Sequence, residues 1–206
     1  MLSFDQKIFQ LLDKIIEYTG ANNNLKSNLE KGLSFTEMEK MLENFPYQIP
    51  EEIEQLYHWH NGINYYCELE LFHYHTFLPL ENALAIRQDW LKLNQEQYLI
   101  YPPELLPIFA FEGEYYAVEC SFEKEKTGKI WFIYHENLCV YNSLESMLTS
   151  ILECYQTHGY KIVNIAGDFE TEINEQKVAQ IKLKYNSVRQ EIYDQLINYN
   201  EFYVHP

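Results

Sequence analysis

Apolar side chains recur at every third or fourth position in several parts of the chain, which is the spacing of one face of an α-helix. The first such segment covers residues 4–18 and stops at Gly20, before the linker-like run Ala21-Asn22-Asn23-Asn24. The same spacing predicts further helices over residues 35–45, 50–60, 81–93, 143–158 and 174–200. The pattern therefore indicates six helices, of which the last is long.

Capping residues mark the ends of several of these helices. Ser34 stands three residues before Glu37, which is the spacing of a capping box. Pro50 suits the first turn of the next helix, and Asn61-Gly62 is expected to close that helix with a left-handed glycine. Ser143 is expected to be the N-cap of the helix that follows it.

Between the helices the pattern changes to alternating or continuous apolar runs, which are typical of strands. Strands are predicted over residues 68–74, 105–111, 115–122, 129–135, 138–141 and 162–165. Glu112-Gly113-Glu114 is expected to be the turn of a hairpin. We therefore predict an α+β fold with a mainly antiparallel, twisted sheet and helices packed against it. The side chains expected in its core are those of Ile108, Val118, Trp131, Leu148 and Ile151.

The predicted elements suggest three parts along the chain. Residues 1–20 would form an N-terminal helix, residues 27–160 an α+β domain, and residues 161–206 a helical extension. The apolar stripe of the extension, from Val178 to Tyr199, permits a coiled coil, although a single stripe more often packs on its own domain. The sequence leaves the oligomeric state open.

Composition and charge narrow the class of protein. Hydrophobic residues make up 47% of the 206 residues, so the chain has enough apolar material for a folded core. The net charge is −16, and residues 50–125 alone hold 14 acidic and 3 basic side chains. Such a field repels nucleic acid; it indicates either a solvated surface or a docking face for a basic partner. The start of the chain lacks a signal-peptide pattern, and its apolar runs are short, so we expect a cytoplasmic protein that does not bind membranes.

Few residues suggest catalysis. The four cysteines include no CxxC pair, which favours reduced, buried thiols. His58, His60, His73 and His75 with Cys67 are the one group whose types suit a transition metal, but histidines two positions apart on a helix point in different directions. No nucleophile, phosphate-loop or metalloprotease motif occurs. We therefore expect no metal, no cofactor and no enzymatic activity.

A succession of short segments along the middle of the chain resembles the SUKH superfamily, which includes the fungal Smi/Knr-type cell-wall assembly regulators and many bacterial relatives. It spans about residues 27–155, and no single segment is specific. The segments, in order, are Ile49-Pro50-Glu51-Glu52-Ile53-Glu54-Gln55-Leu56-Tyr57 with Asn61-Gly62, Phe77-Leu78-Pro79-Leu80-Glu81-Asn82-Ala83, Leu106-Pro107-Ile108-Phe109-Ala110, Gly128-Lys129-Ile130-Trp131, and Ser143-Leu144-Glu145-Ser146-Met147-Leu148.

The resemblance implies a protein-binding scaffold. Bacterial members of the superfamily include immunity proteins that bind and neutralise toxins, often nucleases, and a basic nuclease would be attracted to an acidic chain. The alternative is an intracellular regulatory adaptor of the Smi/Knr type, and an unrecognised enzyme is the less favoured third possibility. A partner is expected to dock at the predicted hairpin, on Glu112, Glu114, Tyr115, Tyr116 and Glu119.

Overall fold

A computed structural model describes residues 6–19, 25–64, 70–72, 74–96, 101–165 and 168–186. Within these ranges the helices are α1 (Lys7–Thr19), α2 (Leu25–Asn28), α3 (Phe35–Met41), α4 (Glu51–Trp59), α5 (Leu80–Leu93), α6 (Leu144–Gln156) and α7 (Glu175–Tyr185). The strands are β1 (Leu29–Lys31), β2 (His60–Ile63), β3 (Thr76–Phe77), β4 (Leu105–Phe111), β5 (Glu114–Glu119), β6 (Ile130–Ile133), β7 (Asn137–Tyr141), β8 (Tyr160–Ile165) and β9 (Asp168–Ile173). The fold is α+β, as the sequence predicts.

The centre of the fold is a five-stranded antiparallel sheet with the order β3-β4-β5-β6-β7. The predicted hairpin is confirmed: Phe111 pairs with Glu114, and the two residues between them form the turn. Two-stranded antiparallel ladders join β1 to β2 and β8 to β9. The predicted capping box at Ser34 and the N-cap at Ser143 are also confirmed, since both side chains accept the expected backbone N–H.

One face of the sheet forms the main core with the helices. Ile108, Val118, Leu148 and Ile151 are buried there, as predicted. The expectation for Trp131 is wrong, because this side chain is only half-buried. Side chains alternate along a strand, so the burial of Ile130 and Phe132 in the main core turns Trp131 to the second face. That face has a smaller core, in which α5 contributes Trp90 against Leu105, Ala117 and Ile133.

The chain before β3 differs from the predicted strand over residues 68–74. Residues 65–69 and 73 lie outside the described ranges. In the described part, Phe72 and His75 form an isolated bridge around a tight turn, and the edge strand is β3. The cause is Tyr74, whose backbone adopts the left-handed conformation with φ of 61° and reverses the chain.

The helix predicted over residues 174–200 is confirmed only as far as Tyr185. Helix α7 ends at Tyr185, and Asn186 has an extended backbone. The buried Asn186 side chain accepts hydrogen bonds from the backbone N–H of Asn142 and from the hydroxyl of Ser146, which fixes the end of α7 beside the start of α6. Residues 187–206, including the second half of the apolar stripe, lie outside the described ranges. Strand β9 was not predicted, whereas the strand over residues 162–165 is confirmed as part of β8.

Helix α1 packs into the same core as the sheet. Leu12 and Ile15 are fully buried in the main hydrophobic cluster. The Trp59 indole N–H of α4 also donates a hydrogen bond of 3.0 Å to Asp13. Within the described ranges, no helix is long and apolar enough to cross a membrane.

Candidate functional site

Glu52 joins three parts of the fold. Its side chain, only 4% exposed, accepts backbone N–H hydrogen bonds from Gly128 at 3.0 Å, Leu144 at 3.0 Å and Glu145 at 3.1 Å. Burial raises the pKa of Glu52, and the three hydrogen bonds oppose that rise. The carboxylate therefore ties α4 to the β5–β6 loop and to the first turn of α6, and it is not accessible to a partner.

Asn61 and Gly62 have an equally structural role. The Asn61 Oδ1 accepts the backbone N–H of Leu80 at 2.9 Å, at the start of α5. Gly62 has φ of 84°, and a Cβ there would lie 2.3 Å from the backbone nitrogen of Pro79. The predicted left-handed glycine is confirmed, but the expectation that it closes α4 is wrong. The helix ends at Trp59, and Gly62 lies in β2, where another backbone segment approaches closely.

Two histidines of the metal-type group are engaged by backbone carbonyls, and two cysteines are buried. The Nδ1 atoms of His58 and His60 donate to the carbonyls of Leu33 and Glu30, at 2.8 and 2.7 Å. Burial raises the pKa values of Cys120 and Cys154 to about 12, so both remain thiols. Cys67 and His73, from the metal-type group in the sequence, lie outside the described ranges. Within those ranges, no three His, Cys, Asp or Glu side chains are grouped as metal ligands.

A different part of the molecule presents side chains outwards. We call it the turn end of the sheet and define it as Tyr74, Phe111, Glu112, Gly113 and Glu114. Glu112 and Gly113 have φ of 41° and 92°, the positive values of a type I′ hairpin turn. The Tyr74 side chain is 47% exposed, and its ring stacks on Phe111 with centroids 5.1 Å apart.

Backbone strain is concentrated at the turn end. Tyr74 and Glu112 are two of the three non-glycine residues with positive φ among the described ones, and the third, His158, follows the end of α6. Such a backbone costs about 1–2 kcal/mol per residue. At Tyr74 it is held by a hydrogen bond of 2.9 Å from the Tyr74 N–H to the Glu70 carboxylate. Strain of this kind is often found where side chains are positioned for binding.

Carboxylates crowd this end of the sheet. Burial raises the pKa of Glu114, and the neighbouring Glu112 raises it further. Burial also raises the pKa of Glu70. The pKa of Tyr74 is raised by burial and then by the charges of Glu70 and Glu170. A positive charge brought to the turn end would relieve this repulsion.

The five predicted partner-binding residues do not share one surface. Glu112 is exposed and Glu114 is half-buried, both at the turn end. Tyr115 is half-buried on the second face, where its ring meets Trp90 edge-on at 5.2 Å. Tyr116 is only 9% exposed and lies in the main core, so it is inaccessible in the folded chain. Glu119, at the far end of β5, accepts the Trp131 indole N–H at 2.9 Å.

Sequence reasoning missed Tyr74. Its residue type predicts neither a left-handed backbone nor exposure, and the alternating pattern around it indicated a strand. The separation of Tyr115 from Tyr116 could have been predicted from the sequence. Side chains alternate along a strand, so these neighbours in β5 lie on opposite faces of the sheet.

Comparison with known proteins gives one family. A model of the SMI1/KNR4 family (SUKH-1) matches residues 32–150, which is more than half of the chain. The matched part contains Glu52, Asn61, the five-stranded sheet and the turn end, and it leaves out α1 and α7. No curated protein matches the chain.

Proposed function

The chain belongs to the SMI1/KNR4 family (SUKH-1), and we propose that it is a non-catalytic protein-binding domain whose turn end docks onto a basic protein. The observation that carries this proposal is the combination of outward-facing, strained Tyr74 and Glu112 with the crowded carboxylates beside them. Glu52 and Asn61, in the first of the segments that resemble the family, hold the fold together, which leaves the turn end for recognition.

Charge supports a basic partner. The chain carries −16, and residues 50–125 carry −11 of that, from 14 acidic and 3 basic side chains. Complementary fields raise association rates by about 10- to 1000-fold over those of neutral pairs. Tyr74 adds a half-exposed ring with a polar end, a type enriched at the centres of interfaces. Long-range attraction and a central aromatic contact would thus act together.

Neutralisation of a toxin in the cytoplasm is the role we assign to this binding. An immunity protein needs a rigid surface complementary to its target, and a nuclease toxin that holds nucleic acid is basic. The buried thiols and carbonyl-bound histidines favour recognition over catalysis. A regulatory adaptor would use the same surface on a partner that is harmless to the cell.

Protection of cells tests this proposal. Basic proteins encoded beside the gene of this chain would be expressed in sensitive cells, with and without the chain. We expect at least one to arrest growth and the wild-type chain to restore it. The double reversal Glu112→Lys/Glu114→Lys should restore growth much less.

Glu39→Lys/Glu43→Lys is the matched control, because it makes the same change in net charge at two exposed positions of α3 and the turn after it. Protection equal for both double reversals would contradict docking at the turn end. A basic partner that binds without being toxic would favour the adaptor, and growth arrest that the wild-type chain never relieves would contradict the immunity role.

A further inference from the structure

The loop between β5 and β6 holds a large aromatic side chain in solvent. Phe122 is 76% exposed, whereas the other exposed large hydrophobic side chains in the described ranges are 41–47% exposed. Burial of a phenyl ring stabilises a folded protein, so the exposed ring of Phe122 contributes little to the stability of this fold. Such a ring is available to a partner instead.

The loop is rigid. Ser121 and Gln48 exchange backbone hydrogen bonds at 2.7 and 3.4 Å. The carbonyls of Glu125 and Lys126 accept the first N–H groups of α4, from Glu51 at 2.9 Å and Glu52 at 3.2 Å. Phe122 is therefore presented in a fixed place, and its binding to a partner would not require the loop to be ordered.

Phe122 is the exposed end of three successive aromatic rings that meet edge-on or tilted, and we call these rings the column. The ring centroid of Phe122 lies 4.9 Å from that of Tyr47, which in turn lies 5.7 Å from that of Phe45. At the other end of the column, the Arg87 guanidinium lies 4.7 Å from the Phe45 ring centroid and 5.8 Å from that of Tyr47. Arg87 is 5% exposed and donates two hydrogen bonds to the Pro103 carbonyl.

Arg87 shows that two rings of this column accept a guanidinium in cation–π contact. Among the described residues, its side chain takes part in no ion pair, so the ring faces and one carbonyl are its main partners. Arginine stacks on aromatic rings more readily than lysine does, because its planar cation is weakly hydrated. The inner end of the column is thus occupied, and the outer end is open.

We propose that Phe122 binds an arginine side chain of the basic partner by stacking at the open end of this column. The inference rests on the proposed function only in that the partner is basic. The net charge of −16 of the whole chain favours a cationic occupant, while the loop itself is mixed, with exposed Glu123 and Glu125 beside exposed Lys124, Lys126 and Lys129. The intervening Lys124 is paired with Glu54 at 2.5 Å and so opposes an incoming cation less. This contact lies at the opposite end of β5 from the turn end, about 20 Å away along a six-residue strand.

Titration of the whole chain with capped tetra-arginine tests the inference without the partner. Phe122→Leu should weaken tetra-arginine binding about two- to fivefold, and Phe122→Trp should strengthen it, because the attraction follows the aromatic ring and is best for Trp. Tetra-lysine, with the same charge, should bind more weakly and respond less to both changes. Dissociation constants from NMR titration are the readout, and circular dichroism checks that the exposed substitutions leave the fold intact.

Phe35→Leu is the control, because Phe35 is 41% exposed on α3 and should leave tetra-arginine binding unchanged. Equal affinities for the wild type, Phe122→Leu and Phe122→Trp would overturn the inference. An equal loss for tetra-arginine and for an uncharged leucine-containing peptide would overturn it too, in favour of plain apolar contact. Neither result would bear on docking at the turn end, which the Glu112→Lys/Glu114→Lys variant tests separately.

Discussion

Replacement of Glu52 by alanine should destabilise the fold strongly. The change removes the acceptor of three backbone N–H groups, those of Gly128, Leu144 and Glu145, at a site that is 4% exposed. A buried donor left without a partner costs about 1–3 kcal/mol. Two of these donors lie in the first turn of α6, where some water can enter, so we expect a loss of about 4 kcal/mol in the free energy of unfolding.

Replacement of Glu52 by glutamine removes the negative charge but keeps one oxygen acceptor, so it tests how much each contributes to stability. Burial raises the pKa of Glu52, which indicates that the charge itself adds little stability. The glutamine side chain keeps one oxygen, which can accept the N–H groups of Gly128 and Leu144. Its NH₂ group, a donor, then faces the N–H of Glu145, which is also a donor. We therefore expect a loss of about 1–2 kcal/mol, clearly smaller than that for alanine.

Urea unfolding followed by circular dichroism is the assay for both variants. Glu51→Ala is the control, since Glu51 is the exposed neighbour in the same turn, and it should change stability by less than about 0.5 kcal/mol. In a chain of this size, 4 kcal/mol corresponds to a fall in Tm of about 8–16 °C. The reasoning is refuted if Glu52→Ala lies within about 1 kcal/mol of Glu51→Ala, or if Glu52→Gln is as destabilising as Glu52→Ala.

Three further predictions concern single sites. Tyr57→Phe should raise the free energy of unfolding by about 1 kcal/mol in urea unfolding, because the fully buried Tyr57 hydroxyl has no hydrogen-bond partner among the described residues; a loss of stability would reveal a hidden partner. Gly62→Ala should lower it by about 3 kcal/mol or more, since the left-handed backbone and the nearby Pro79 leave no room for a Cβ; an unchanged Tm would contradict the close approach. The folded-state pKa of Glu114 is raised, so its contribution to stability is full at low pH and declines as pH rises through that pKa. Glu114→Gln should therefore gain stability relative to the wild type between about pH 4 and pH 7, and a constant difference would contradict it.

The sequence predicted the start of a helix and the turn of a hairpin well where neighbouring residues alone determine them. The glycine of Glu112-Gly113-Glu114 fixes the hairpin, and Ser34 with Glu37 fixes the start of α3. Both features depend on residues within a few positions of each other, so they can be predicted without knowledge of the tertiary structure.

Long-range contacts account for what the sequence did not predict. Glu52 looked like an ordinary first-turn acid, yet its partners are 76 to 93 positions away. Asn186 ends α7 because it bonds to Asn142, 44 positions earlier, which no helical periodicity reveals. Tyr116 is buried although it was expected at an accessible surface, and Trp131 is only half-buried although it was expected in the core, because helices cover the two faces of the sheet unequally.

The central claim is that a basic partner docks at the turn end, and stopped-flow association with the basic protein found in the protection experiment tests it most directly. Between about 50 mM and 300 mM salt, the wild-type association rate should fall steeply, because the distance over which exposed charges attract shrinks as salt rises and is only about 8 Å at 0.15 M. Glu112→Lys/Glu114→Lys should lower the rate at low salt by about tenfold or more and change dissociation little, whereas Glu39→Lys/Glu43→Lys should have a clearly smaller effect. Identical rates for the wild type and Glu112→Lys/Glu114→Lys, with no dependence on salt, would contradict the claim.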